Sequence, residues 1–416
     1  MKRYLSLFLL LFALFFVVDA QRLSDYRLLF DKRDMGDGAL RVQCQFTIDF
    51  AQSDSIALDF GGNFEDMAVE EMKISPESIR YVFDPEARQI IFYRAGEDTM
   101  SVKMEYIFMN LTAVFMYGSK GAEVWETIYS VGGEFYYPMS RGMVYSGEVK
   151  FICPPSLSVV AMGGRDMSQW QAIEQCVPLN FVFLEKERYE KKRLDGPYKC
   201  DVYQLVGQQA DSLRFDELCR LATMSVQWFE SKYDDGFISP MLGTQEYPAF
   251  VFHNGNSAFN RYNMGFISAS QEKFATYPHI YPLVHEIGHR WIGEYSMFVD
   301  EGERGYAFMI ESLNEFMTLM CIRDIVGIEE YERLIERYRT LCDEIKGTEQ
   351  DIHPYDVLRN DNIVVTYRKG PVMLDSIARE IGYDKVVDAI VRFYKACHAQ
   401  PNLQWSDFER QCDIEL

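Results

Sequence analysis

Positive charge is scarce in this chain. Its 416 residues hold 42 Lys and Arg against 63 Asp and Glu, a formal net charge of −21. Nucleic-acid backbones are bound by basic surfaces, so a nucleic-acid partner is excluded. The nine cysteines include no CxxC pair and no zinc-knuckle spacing, and their pairing cannot be assigned from sequence. No apolar run after the N-terminus approaches the roughly 20 residues a membrane helix needs, so no membrane insertion is expected of the mature chain. Histidine is rare as well, at six residues. Disorder is disfavoured, because hydrophobic residues make up 48% and aromatic residues 15%, enough to bury a large core.

The N-terminus is the apolar exception. A basic start of Lys2 and Arg3 is followed by a largely apolar run of 14 residues, Leu5 to Val18. Val18 and Ala20 then flank Asp19 ahead of Gln21, in the layout of a cleaved secretory signal at 1–20. The expected address is exported, secreted or periplasmic. Without that segment 40 basic and 62 acidic side chains remain, a net charge of −22.

From 21 to about 200 the pattern is that of strands. Val42, Cys44, Phe46, Ile48 and Phe50 alternate with polar residues. Ile79 to Phe83, a turn over Asp84 to Ala87, and Ile90 to Tyr93 predict a hairpin. From about 210 the period becomes helical: Leu213 to Phe229, Glu329 to Ile345, Val372 to Ile381 and Lys385 to Ala396 predict helices. Two short apolar runs, 249–252 and 264–267, predict strands among them. The fold class is therefore α+β, with a β-rich N-terminal domain at 21–200 and a mostly helical domain with a small sheet at 201–416.

His285-Glu286-Ile287-Gly288-His289 is an HExxH segment within an apolar frame. Positions i and i+4 of a helix share a face, so two imidazoles there can hold one zinc ion, with Glu286 beside a metal-bound water. A catalytic zinc usually takes a third protein ligand. Downstream, Glu311 and Glu315 lie four residues apart on one helical face, and either can approach the metal.

Together these residues resemble the aminopeptidase N-like zinc peptidases (gluzincins). HEIGHRWIG is similar to their HExxHxWxG, with Trp291 and Gly293 in place. SLNEF resembles the segment that carries their third ligand, which implies Glu315 rather than Glu311. Tyr367-Arg368-Lys369-Gly370 is similar to their YxKG, whose Tyr stabilises the transition state. The resemblance implies a thermolysin-like catalytic domain, one zinc on His285, His289 and Glu315, Glu286 as general base, Tyr367 as charge stabiliser, and a peptide or protein substrate. The stretch before residues 264–267 stands where the family has GAMEN. This implies that Tyr262, Asn263 and Gly265 contact substrate, with Met264–Ile267 offering backbone edge bonds to an extended peptide. Tyr262 replaces the Glu that binds the substrate amine, so aminopeptidase specificity does not follow. The chain also departs from the family in its spacing, with 25 residues between His289 and Glu315, more than in the family. An inactive relative acting as an exported binding module is the alternative. The intact HExxH, LNE and YxKG segments favour the enzyme.

Overall fold

The structure is a computed structural model. It describes residues 22–33, 35, 39–51, 53–61, 68–109, 135–139, 147–161, 167–173, 181–187, 189–194, 200–205, 212–233, 249–253, 258–261, 264–268, 280–289, 291–292, 304–358, 362–399 and 410. Two compact units divide it, the first mostly residues up to Phe183 and the second mostly those from Leu184 onward.

Two larger sheets make up most of the described part of the first unit. One has six strands in the order Gln171–Ile173, Gly147–Ile152, Arg22–Asp31, Leu40–Asp49, Thr99–Met109, Ala68–Ser75. The other has four, in the order Arg80–Asp84, Gln89–Tyr93, Ser55–Gly61, Phe135–Met139. The expected alternation is present: Leu40, Val42, Cys44, Phe46 and Ile48 are all buried. Burying a large apolar side chain contributes about 1.5–3 kcal/mol, and a one-residue slip would turn all five to the other face. The register Leu40↔Phe108 to Asp49↔Thr99 is fixed in this way. Aromatic rings close the space between the sheets, with Phe60 edge-on to Tyr106 at 4.9 Å and Phe46 to Phe92 at 5.9 Å. The hairpin pairs Arg80 with Tyr93. Its turn is held by Asp84 Oδ1, which accepts from the amides of Glu86 and Ala87.

The second unit has a five-stranded sheet in the order Tyr189–Leu194, Cys200–Leu205, Ala249–His253, Met264–Ser268, Ala258–Arg261. It takes in residues from Tyr189, before the position near 200 where the change of period placed the boundary. Among the described residues six α-helices follow or interleave: α1 Ser212–Tyr233, α2 Ile280–Gly288, α3 Leu313–Ile325, α4 Ile328–Ile345, α5 Gly370–Ile381 and α6 Tyr383–Ala399. Every residue of α3 from Leu313 to Ile322 is buried. A helix covered on all sides must be central, and α1, α2, α4 and α5 pack against it. Gly382 separates α5 from α6 with φ near 106°, a conformation costly for other residues. No helix of the described residues is long and apolar enough to cross a membrane.

Candidate metal centre

Helix α2 is short, and its apolar residues bury it. Leu283, Val284 and Ile287 are fully covered or nearly so, which draws the intervening His285 and Glu286 out of solvent as well. His289 continues the turn, its amide donating to the His285 carbonyl at 3.3 Å. Trp291 follows and stacks on Phe229 of α1, with centroids 5.2 Å apart and planes 7° apart. The Trp of the HExxHxW segment thus anchors the end of α2 to α1.

Hydrogen bonds on the far side of each ring fix the two imidazoles. The Ile292 carbonyl lies 3.1 Å from His289 Nδ1. A carbonyl only accepts, so Nδ1 donates, which leaves Nε2 as the nitrogen that would ligate a metal. His285 Nδ1 donates to Glu315 Oε2 at 2.6 Å, with the same result. The two Nε2 atoms face each other at 3.1 Å.

The third vertex is Glu311. Its Oε2 is 3.2 Å from His285 Nε2 and 3.3 Å from His289 Nε2. Tetrahedral zinc with bonds of about 2.0–2.1 Å places neighbouring ligand atoms about 3.3–3.4 Å apart. The triangle of 3.1, 3.2 and 3.3 Å therefore fits one face of such a site. His285, His289 and Glu311 are all buried, and among the described residues theirs is the one His/Cys/Asp/Glu group whose ligand atoms gather in this way. The expected ligand, Glu315, is not in this group. That carboxylate is turned away, with Oε1 taking hydrogen bonds from Tyr281, Tyr338 and Arg368 and Oε2 taking one from His285. One helical turn separates the two acids, so both share the face. The Leu-Asn-Glu triplet is simply one turn further on.

The charges support a cation at the centre. Burial disfavours an imidazolium, yet hydrogen bonds to Glu311 and Glu315 push His285 up to about 10. Burial likewise opposes charge on His289, and Glu311 overrides it. Burial would raise Glu311, but His289 and His285 hold it well below the carboxylate range. With no metal, protons must supply the positive charge these buried carboxylates demand. A divalent ion supplies it without them.

Glu311 and Tyr367 both sit on π-helical turns, Phe308–Ser312 and Val365–Lys369. Such turns are rare and recur at functional sites. The two are clasped, with Ser312 Oγ donating to the Thr366 carbonyl at 2.5 Å. The Tyr367 ring lies 5.6 Å from the His285 ring. Burial first, then Glu311 and Glu286, push its phenol well above the usual range, so it stays a neutral donor. The residues around Glu315 were not foreseen. Tyr281 had a signal, since it precedes His285 by four residues and so shares its face; Arg368 stands inside the YRKG segment; Tyr338 offered none.

Of the expected substrate residues, Tyr262 and Asn263 lie outside the described residues, as does Gly293. Gly265 is in a strand paired on both sides, with Phe250 and with Asn260. Met264–Ser268 therefore has no open edge for a peptide. Among the described residues the sheet ends on this side with Ala258–Arg261.

No protein-family model matches this sequence, and no curated protein does. Solved structures do match. The M1 zinc metallopeptidase from Deinococcus radiodurans is 14% identical with a TM-score of 0.64, covering 94% of this chain and 89% of its own. A mutant of it bound to a Tyr-Ser-Ala substrate is 13% identical with a TM-score of 0.63, covering 94% and 90%. A two-domain M1 zinc metallopeptidase mutant bound to L-tryptophan is 14% identical with a TM-score of 0.64, at the same coverage. The chain thus has the two-domain fold of these metallopeptidases, a sheet-rich unit followed by a helical one.

Proposed function

We propose that the chain is a zinc-dependent peptidase whose metal is held by His285, His289 and Glu311. The observation that carries this reading is the buried triangle of their ligand atoms, all within 4.8 Å of one another. The fold shared with M1 metallopeptidases, some bound to a peptide or to amino acids, supports a peptide substrate.

Bound there, zinc would supply a Lewis acid and would lower the pKa of a bound water to about 7. Glu286, next to His285 and buried with it, takes the water proton and passes it to the leaving amine. Tyr367 remains protonated and donates to the substrate carbonyl oxygen as charge develops there. Burial of all these groups strengthens each interaction relative to water. An inactive binding module has no need of two imidazoles with fixed tautomers turned on one carboxylate. Export, directed by the segment 1–20, belongs to the same reading.

Elemental analysis tests it. The wild-type protein should hold one zinc per chain, Glu311→Gln and His289→Ala should lose most of it, and a peptide library should be cleaved only by loaded protein. A wild-type protein that takes up no zinc from excess metal would sink the reading.

A further inference from the structure

The sequence singles out Glu315 and Arg368, and neither has a part in the chemistry above. We propose that they form a buried positioning pair for the metal centre: Arg368 locks the Glu315 carboxylate, and Glu315 locks His285 with Nδ1 protonated and Nε2 turned to the metal. The proposal rests on the zinc reading of the site.

The argument is one of hydrogen-bond capacity. Glu315 is 0% exposed, so each of its acceptor sites needs a partner inside the protein. Three donors converge on Oε1: the hydroxyl of Tyr281, the hydroxyl of Tyr338 at 2.6 Å and Arg368 Nη1 at 3.0 Å. That leaves Oε2 for His285 Nδ1 alone, at 2.6 Å. A carboxylate held on one oxygen by three donors cannot rotate, so its other oxygen is a fixed acceptor. Imidazole facing a fixed acceptor has one usable tautomer.

Arg368 is fixed in turn. Its Nη1 also donates to Tyr281 Oη at 2.6 Å and to the Tyr367 carbonyl at 2.8 Å, and its guanidinium lies over the Tyr338 ring at 4.4 Å. The same group thus holds the backbone of Tyr367, whose phenol faces the other way toward His285. Fold stability alone does not call for such an arrangement. A buried ion pair is often no better than apolar side chains of the same volume. What it gives is orientation, and groups behind a metal-ligating His typically affect metal affinity by 10–100-fold.

The test is the zinc dissociation constant, measured by chelator competition on wild type, Glu315→Gln, Arg368→Met and the double variant. Circular dichroism and thermal unfolding of the metal-free proteins report folding. Glu315→Gln should bind zinc about 10–100-fold more weakly, and Arg368→Met should weaken it in the same direction. The double variant should be little worse than Glu315→Gln, because both act through one unit. Folded variants with the wild-type constant, or losses that simply add, would overturn the proposal. Should both substitutions prevent folding, nitrogen-15 spectra of the zinc-loaded wild type decide: His285 protonated at Nδ1 supports it, and protonation at Nε2 overturns it. Wild type without zinc affinity would overturn this proposal together with the reading beneath it, whereas zinc-binding wild type with unaffected variants overturns this proposal alone.

Discussion

The backbone of Gly288 lies against the side-chain amide of Asn314. A methyl group at Gly288 would fall 2.1 Å from Asn314 Oδ1 and 2.8 Å from Phe229 Cζ. Asn314 cannot withdraw, because its Nδ2 donates to the His285 carbonyl at 2.8 Å and the residue is fully buried. The glycine of HEIGH and the asparagine of LNE thus set how closely the helix carrying the imidazoles approaches the central helix. Gly288→Ala should cost about 1–3 kcal/mol, the usual range for overpacking, and should weaken zinc binding too. Urea unfolding of the metal-free protein and chelator competition measure the two effects. An unchanged midpoint would show that the helices have room to separate.

A second close contact joins the two π-helical turns. A methyl group on Gly370 would lie 2.4 Å from Ser312 Oγ and 2.6 Å from its Cβ. Gly370→Ala should therefore push apart the turns that carry Glu311 and Tyr367. Ser312→Ala keeps the packing and removes only the hydrogen bond to Thr366, which is worth about 1 kcal/mol. Adding Ser312→Gly to Gly370→Ala should restore part of the lost stability, since it removes both clashing atoms. If the double variant is less stable than Gly370→Ala, the contact is not the source of the strain.

Much of this was legible in the sequence, and the exceptions have physical causes. Alternation exposed the strands of the first unit because one face of each is buried. The HExxH helix declared itself because its spacing matches the helical period. The sequence does not separate Glu311 from Glu315, because they sit one turn apart on the same face and periodicity cannot rank them. What separates them is the far side of the site, where Tyr281, Tyr338 and Arg368 occupy Glu315. Those partners come from three separate segments. The π-helical turns left no mark in composition. The run 264–267 reads as an open edge because a single strand does not reveal its neighbours.

The division of work between Glu286 and Tyr367 predicts two different phenotypes. Glu286→Gln removes the base while keeping the shape, so zinc content should stay at the wild-type level while peptide hydrolysis falls below detection. Tyr367→Phe keeps the ring against His285 and removes one donor to the developing charge, which costs about 10²–10³ in kcat. KM should change little, since the donor acts in the transition state. Steady-state kinetics on one cleaved peptide separate the two. A Tyr367→Phe enzyme with undiminished kcat would place the phenol outside the reaction.

Removal of the metal should create a pH dependence with a definite sign. In the metal-free site Glu311 and Glu315 raise His285 to about 10 from 6.5. A group raised on folding stabilises fully below its unfolded value and stops doing so as pH passes its folded value. Metal-free protein should therefore lose stability steadily between about pH 6.5 and 10. Zinc-loaded protein should lose less, because the ion has replaced the protons, and zinc uptake near pH 7.5 should release protons. Thermal unfolding with and without chelator across this range tests the first point, and calorimetry in buffers of different ionisation enthalpy tests the second. Metal-free protein that grows more stable from pH 6.5 to 10 would contradict the assignment.

The last prediction concerns how a peptide is held. Among the described residues Ala258–Arg261 is a terminal strand of the five-stranded sheet, paired on one side with Met264–Ser268. Both strands lie beside α2, the helix that carries His285. Of the two terminal strands among the described residues, Ala258–Arg261 is the one that contacts α2, so an extended substrate that adds to this sheet near the metal centre should pair with it, through backbone groups that ignore side-chain identity. Binding of that kind does not itself require a free N-terminus. Requirement for one would come from a carboxylate paired with the terminal ammonium, and the resemblance puts Tyr262 at that position. A phenol accepts one hydrogen bond but brings no opposite charge. Acetylating the N-terminus of a good substrate should then change kcat/KM by less than about tenfold, or 1.4 kcal/mol. N-methylation of alternate peptide amides should raise KM in a two-residue rhythm, because only alternate groups face the partner strand. A drop of 10² or more on acetylation, at the scale of a broken buried charge pair, would show that an acid elsewhere in the chain meets the ammonium and that the enzyme removes residues one at a time from a free end.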